Sequence, residues 1–170
     1  MKTIYDLKPA FQNLLRPLCA ALYRAGITAN QVTVSAFLLS VAGGAAVALW
    51  PQAAWPYLLL PPLLFVRMAL NAIDGMLARE FGQKSRLGAF FNELGDVLSD
   101  SALLLPLCLV SPHGAGPVAV SLLAILSEMT GVLGLMVGAS RRYDGPLGKS
   151  DRAFVLGALG LALGLGVPSG

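Results

Sequence analysis

The stretch between residues 71 and 96 reads NAIDGMLAREFGQKSRLGAFFNELGD and joins two apolar segments through a short basic loop. Four of its residues place polar or acidic groups in otherwise hydrophobic sequence: Asn71, Asp74, Asn92 and Asp96. A carboxylate in hydrocarbon costs roughly 3 kcal/mol or more unless it meets a cation, water or a hydrogen-bond partner. Acidic residues inside membrane helices are therefore rare and usually functional. We expect the functional site in this stretch.

The overall composition predicts a membrane location. Of the 170 residues, 56% are hydrophobic and only 12% are charged, and the mean hydropathy is +0.71. A soluble domain of this size needs more polar residues to cover its surface. The sequence therefore predicts an integral membrane protein of the all-α class, a polytopic bundle of membrane helices.

Apolar segments of about 20 residues are long enough to cross a bilayer as helices. The sequence contains four such segments and a shorter fifth: about 31–50, 57–77, 87–110, 118–139, and 154 to the C-terminus. Because the fifth segment is short, we expect the chain to stop before a final helix that a longer parent protein would have. The prediction is therefore five to six transmembrane helices.

The segment 1–26 has a different pattern. Its apolar residues recur at helical spacing with basic residues among them, and Pro9 and Pro17 must begin or bend helical turns. A basic amphipathic helix of this kind is typical of the membrane interface. We therefore divide the chain into an interfacial helix, residues 1–26, and a transmembrane domain that carries the site, residues 27–170.

The basic residues predict the orientation in the membrane. All but one of the 12 lysines and arginines lie before the first predicted span, between the second and third, or between the fourth and fifth. By the positive-inside rule the N-terminus and both basic loops face the cytoplasm, and we expect a bacterial inner membrane. The exception, Arg67, either snorkels or pairs with a carboxylate. The formal charge of +3 indicates attraction to anionic lipid and no nucleic-acid partner.

The polar residues of the stretch 71–96 lie on two helical faces. Helical spacing groups Asn71, Asp74 and Ala78 on the second span, and Gly88, Asn92, Asp96 and Asp100 on the third. Spans joined by a short loop are antiparallel neighbours, so these faces can converge near the cytoplasmic surface. Oxygen ligands of this hard type suit Mg²⁺ or Mn²⁺, which often bridge substrate phosphates. The arrangement favours phosphoryl transfer.

The spacing of these residues resembles a known signature. The pattern is Asn71-x-x-Asp74-Gly75-x-x-Ala78-Arg79, eight residues, then Gly88-x-x-x-Asn92-x-x-x-Asp96. It is similar to the motif of the CDP-alcohol phosphotransferase family, in which four aspartates occupy the positions of residues 71, 74, 92 and 96. The interfacial helix, the TANQVT sequence that opens the first span, and a membrane domain of about six helices also resemble that family.

The resemblance implies transfer of a phosphatidyl group from CDP-diacylglycerol to an alcohol acceptor, with release of CMP, at a metal site open to the cytoplasm. By position in the motif, Asp74 would be a metal ligand, and Asp96 would be a ligand or the base that deprotonates the acceptor. Gly75 and Ala78 would leave room for the nucleotide, as small residues do where a ligand approaches a helix. Arg79 would pair with a carboxylate or a phosphate.

Two departures from the family pattern concern the metal. Asn71 and Asn92 replace aspartates, and although an amide oxygen can ligate a hard cation, it offsets the ion's charge less well. Asp100, one turn beyond Asp96, is a candidate for the missing carboxylate. Four interpretations remain open: an enzyme with a rearranged metal set, a one-metal enzyme, an enzyme with an unusual acceptor, and a catalytically degenerate paralogue. We favour an active enzyme.

Other candidate ligand contacts lie outside the motif. The second basic loop, SRRYDGPLGKSDRAF, either supplies phosphate contacts, with Arg142 and Lys149 as the best candidates, or serves only as a positive-inside signal. Asn30, at the start of the first span with Thr28 and Thr33, either contacts the cytidine or belongs to a helix cap. Glu128 lines the cavity, pairs with Arg67 or faces a neighbouring subunit.

A small transporter is the alternative from another functional class, because acids inside spans can also mark ion pathways. The sequence has no inverted repeat and no paired broken helices, and a transporter would not need the spacing of Gly75 and Gly88. Glycine-rich helix faces make a homodimer plausible. The identity of the acceptor would depend on the cavity and the loop near Arg142, which the sequence does not specify.

Overall fold

A computed structural model describes residues 4–111, 114–139 and 148–167. Within these ranges the chain is entirely helical and turn. It forms six α-helices: α1 (Ile4–Arg24), α2 (Ala29–Leu49), α3 (Ala54–Glu80), α4 (Arg86–Leu104), α5 (Ala115–Met136) and α6 (Lys149–Gly164). The predicted all-α bundle is confirmed. In the described part of the chain, α2, α3 and α5 are long and apolar enough to cross a membrane.

The predicted third span, 87–110, is one α-helix only as far as Leu104. It continues as a tighter 3₁₀ turn over Leu105–Leu109, with Pro106 among its first residues. Proline has no backbone N–H, so Pro106 cannot donate the hydrogen bond that would continue the α-helix to the carbonyl of Ala102. The other predicted spans correspond to α2, α3, α5 and α6, and α6 begins at Lys149, earlier than the predicted residue 154.

The turn between α1 and α2 is fixed by side chains. Thr28 caps α2 and forms a reciprocal capping box with Gln31. Gln83, in the loop after α3, accepts a hydrogen bond from the backbone N–H of Ala29 at 2.6 Å. Cys19 of α1 is fully buried in a cluster that includes Ile73 and Met76 of α3. The amphipathic helix α1 therefore packs onto α3, which carries the first part of the stretch 71–96.

The remaining helices pack around an apolar cluster of residues from α2, α3, α6 and the α4 end with its 3₁₀ turn: Val47, Tyr57, Leu60, Leu63, Leu64, Leu103, Leu107 and Leu156. Glycines allow close backbone approach at two crossings. A Cβ on Gly160 of α6 would lie 2.9 Å from the carbonyl oxygen of Tyr57, and one on Gly44 of α2 would overlap the carbonyl of Ala102. The core thus fixes α3 between α2 and α6, while α4 packs mainly against α2 and α5.

Gly44→Ala should destabilise the bundle, because the added methyl group would meet backbone that cannot rotate away. Overpacking of this kind costs about 1–3 kcal/mol. Thermal unfolding of the purified protein in detergent should show a lower Tm. Gly116→Ala in α5 is the matched control, since a Cβ there meets nothing within 4 Å. Equal Tm values for the two variants would contradict this account of the crossing between α2 and α4.

Candidate active site

The two predicted faces meet. The Asn71 side chain of α3 donates from Nδ2 to Asp96 Oδ1 of α4 at 3.2 Å. In the opposite direction, Asn92 of α4 donates from Nδ2 to Asp74 Oδ2 of α3 at 3.4 Å. Each asparagine thus binds the aspartate of the other helix. The amide supplies the donor in each pair, which an ionised carboxylate at either asparagine position could not do.

Asp74 is buried, with 3% of the residue exposed. The hydroxyl of Thr33 on α2 lies 2.8 Å from Asp74 Oδ2 and 3.0 Å from the carbonyl oxygen of Ala29. The partners found for the Asp74 side chain, Thr33 and Asn92, are both neutral. The sequence identified Thr33 only as a cap or nucleotide contact, because the pairing depends on how α2 crosses α3.

Asp96 lies in a network that we call the ion cluster: Arg67, Asp96, Asp100, Glu128, Lys149 and Arg152. Arg67 of α3 contacts Asp100 at 2.7 Å and Asp96 at 3.5 Å, both on α4. We considered that Arg67 either snorkels or pairs with a carboxylate, and in the structure it pairs with carboxylates. Among the described residues, this network pairs three acids with three bases, and buried charges require such compensation.

The other half of the ion cluster connects α6 to α4 and α5. The Lys149 ammonium contacts the carboxylate of Asp96 and lies 2.9 Å from Glu128 Oε1. Arg152, one turn further along α6, contacts Asp100 at 2.9 Å and Glu128 at 3.4 Å. Glu128 is 2% exposed, so it is buried among these cations rather than among lipid tails. Its partners are Lys149 and Arg152 and not Arg67, one of the alternatives considered above.

The small residues of the motif lie against polar side chains. A Cβ on Gly75 would lie 3.0 Å from both terminal nitrogens of Arg79, so the guanidinium folds back over this glycine. A Cβ on Gly88 would lie 2.7 Å from Asn30 Oδ1. Ala78 packs against the cluster between α1 and α3. Nucleotide contacts for these residues and for Asn30 stay predictions, and Arg142 lies outside the described residues.

The candidate metal ligands differ in whether their carboxylate oxygens already contact cations or hydrogen-bond donors. Asp96 accepts from Asn71 through Oδ1 and contacts Lys149 through Oδ2, and Asp100 contacts arginines through both oxygens. Asp74 and the amide oxygens of Asn71 and Asn92 are hard donors of the type that a divalent cation prefers, and metal binding by them stays a prediction. Among the described residues, no three His, Cys, Asp or Glu side chains converge as a metal group. Of the two motif aspartates, Asp96 therefore contacts cations, whereas Asp74 hydrogen-bonds to neutral groups among the described residues.

These observations define a class: a polytopic helical membrane protein in which aspartates and asparagines of two helices, α3 and α4, meet through their side chains. The sequence profile of the CDP-alcohol phosphatidyltransferase family matches residues 26–167. The chain belongs to this family, as the motif predicted. It is a transferase-type family of phospholipid synthesis that generally depends on a divalent metal, and its members act on CDP-linked lipids and alcohols in membranes.

Three relatives give the similarity in more detail. Inner membrane protein YnbA of Escherichia coli (strain K12) is 49% identical over 164 residues, 96% of this chain and 81% of the relative. Archaetidylinositol phosphate synthase of Pyrococcus horikoshii is 32% identical over 61% of this chain and 52% of its own length. Phosphatidylinositol phosphate synthase of Mycobacterium marinum is 33% identical over 56% of this chain and 39% of its own length. The chain thus aligns with only about half or less of each synthase.

Arg67→Met should strongly destabilise the protein, because it leaves buried Asp96 and Asp100 with one cation fewer. Breaking a buried ion pair from one side costs about 3–5 kcal/mol. The control is Arg16→Met, which breaks an exposed pair with Glu80 worth about 0–1 kcal/mol. Thermal unfolding in detergent at fixed pH measures both variants. A loss for Arg67→Met no larger than for Arg16→Met would contradict the stabilising role of the ion cluster.

Proposed function

We propose that this chain transfers a phosphatidyl-type group from CDP-diacylglycerol, or a related CDP-linked lipid, to an alcohol and releases CMP. The observation that carries the proposal is the crossed pairing of Asp74 with Asn92 and of Asp96 with Asn71. It brings the motif residues of two helices to one site in a chain that belongs to the family. The acceptor is an alcohol, and a polyol phosphate is the first class to test, because two relatives are named archaetidylinositol phosphate synthase and phosphatidylinositol phosphate synthase.

The reaction exchanges one phosphorus–oxygen bond for another. The acceptor hydroxyl oxygen bonds to the lipid-bearing phosphorus, the bond from that phosphorus to the bridging oxygen breaks, and CMP leaves with the electron pair. Phosphoryl transfer asks the protein mainly for alignment and charge stabilisation. We assign the hydroxyl proton to Asp96, whose carboxylate is held in place by Asn71 and Lys149.

A divalent ion, Mg²⁺ or Mn²⁺, would be held by Asp74 with the amide oxygens of Asn71 and Asn92, and would neutralise pyrophosphate oxygens. Thr33 and Asn92 fix the Asp74 carboxylate through their hydrogen bonds. Asp100 is engaged by Arg67 and Arg152, so we assign it to holding those cations. Arg79 folds over Gly75, where it is available to a nucleotide phosphate.

The location of the reaction follows from the distribution of basic residues. We propose an inner membrane with the N-terminus and the site on the cytoplasmic side. Three supports are the basic residues near the site, the apolar helices α2, α3 and α5, and the E. coli relative named as an inner membrane protein. On this side the site would meet soluble acceptors, while the lipid donor would enter from the bilayer.

Purified protein with CDP-diacylglycerol, Mg²⁺ or Mn²⁺, and one of several acceptors should release CMP. The acceptors to compare are glycerol 3-phosphate, serine, inositol phosphate and phosphatidylglycerol. Acceptor-dependent CMP release, followed by chromatography of the nucleotide and of the lipid product, supports the transferase. Absence of CMP with every acceptor and both metals would favour a degenerate paralogue or a transporter.

Asp74→Asn and Asp96→Asn should each lower turnover by at least about 10²-fold, in line with loss of a group that stabilises transition-state charge. Asp74→Asn removes the proposed ion's only carboxylate, and Asp96→Asn removes the proton acceptor. Glu80→Gln, an acid-to-amide change at an exposed residue of α3, is the matched control and should retain wild-type turnover. Full activity of Asp74→Asn would contradict the assignment of the site.

A further inference from the structure

Lys149 contacts two carboxylates from different helices. It is the first residue of α6, and its ammonium reaches the carboxylates of Asp96 on α4 and Glu128 on α5. Its side chain is 30% exposed, whereas those of Arg67 and Arg152 are 8% and 13% exposed. Lys149 is thus the cation of the ion cluster that a ligand can reach most easily.

In the described part of the chain, a cation already approaches each carboxylate oxygen of Asp96. Lys149 contacts Asp96 Oδ2, and Arg67 and Asn71 both approach Oδ1. A divalent ion at Asp96 would face an ammonium and a guanidinium at short range, and like charges repel strongly where water is scarce. Asp74 differs, because its partners Thr33 and Asn92 carry no charge. Cation binding is therefore favoured at Asp74 and opposed at Asp96.

We propose that Lys149 takes the place of a second divalent cation: its ammonium, anchored by Glu128 and Asp96, contacts a phosphate oxygen of the CDP-linked substrate, and the chain binds a single divalent ion at Asp74. The phosphate half of the proposal rests on the proposed function, whereas the number of bound ions does not. A lysine ammonium is a compact point charge with three donors, so a phosphate oxygen can replace one of its present contacts while a carboxylate still holds it.

The ion count is tested without any turnover. Protein freed of metal with a chelator is titrated with Mn²⁺, and the free ion is followed by electron paramagnetic resonance. Wild type should bind one Mn²⁺ per chain. Asn71→Asp adds a carboxylate opposite Asp96 but keeps Lys149, and should still bind one. The double variant Asn71→Asp with Lys149→Met should bind two, because the ammonium that opposed the second ion is gone.

Two controls keep the ion count interpretable. Lys84→Met removes the same charge from an exposed residue of the loop between α3 and α4 and, combined with Asn71→Asp, should leave one bound ion. Lys149→Arg keeps the positive charge and, in the same combination, should also leave one. No bound ion or two bound ions in wild type would overturn the proposal. Two bound ions in Asn71→Asp alone would also overturn it, even if Lys149→Met failed to fold.

The phosphate contact is tested by binding of CDP in excess chelator, with calorimetry as the readout. Wild type should retain measurable affinity, and Lys149→Met should lose about 10-fold or more, the size expected for one charge-assisted hydrogen bond. Lys84→Met should bind as wild type does. Equal affinities for wild type and Lys149→Met would overturn the phosphate contact. Failure of CMP release in the transferase assay would instead count against the proposed function and leave the Mn²⁺ result standing.

Discussion

Compensation of buried carboxylates is the constraint on which the polar end of this bundle depends. Asp96, Asp100 and Glu128 lie on α4 and α5, and the cations that neutralise them come from α3 and α6. Removing one partner of a buried pair leaves an uncompensated charge, so each helix needs the others to keep its acids buried. Ion pairs therefore connect α3, α4, α5 and α6 at the level of the site, while an apolar cluster connects α3, α6 and the end of α4 further along.

The sequence predicted those parts of the structure that follow from local spacing. Helix identity, the approximate spans and the two polar faces of α3 and α4 depend on periodicity within one helix or across one short loop. The partners of Asp74, Glu128 and Lys149 depend on the register between helices that are distant in the chain, which packing decides. Pro106 indicates an interruption of the α-helix before Leu105–Leu109. The surrounding residues are all apolar, however, so hydropathy alone shows one continuous span.

Asn71 and Asn92 are uncharged, and they also form hydrogen bonds that hold the site together. An amide offers a donor and an acceptor at once, so Asn71 and Asn92 can each donate to a carboxylate across the helix pair while their Oδ1 atoms remain as potential ligands. Two carboxylates in their places would repel the aspartates unless cations lay between them. The site of this chain is thus held together by its own hydrogen bonds, whereas an all-aspartate site would require ions for the same cohesion.

This difference explains why a 26-residue motif needs the rest of the domain. The stretch from Asn71 to Asp96 lies on α3 and α4, but Asp74 is fixed by Thr33 of α2, and Asp96 is contacted by Lys149 of α6, which is itself anchored by Glu128 of α5. Because Asn71 and Asn92 carry no charge, the charges that surround the two motif aspartates come from residues outside the motif, Arg67 and Lys149 among them. Any account of specificity or metal use in this chain therefore has to include α5 and α6, whose acids and bases decide the electrostatic potential at Asp96.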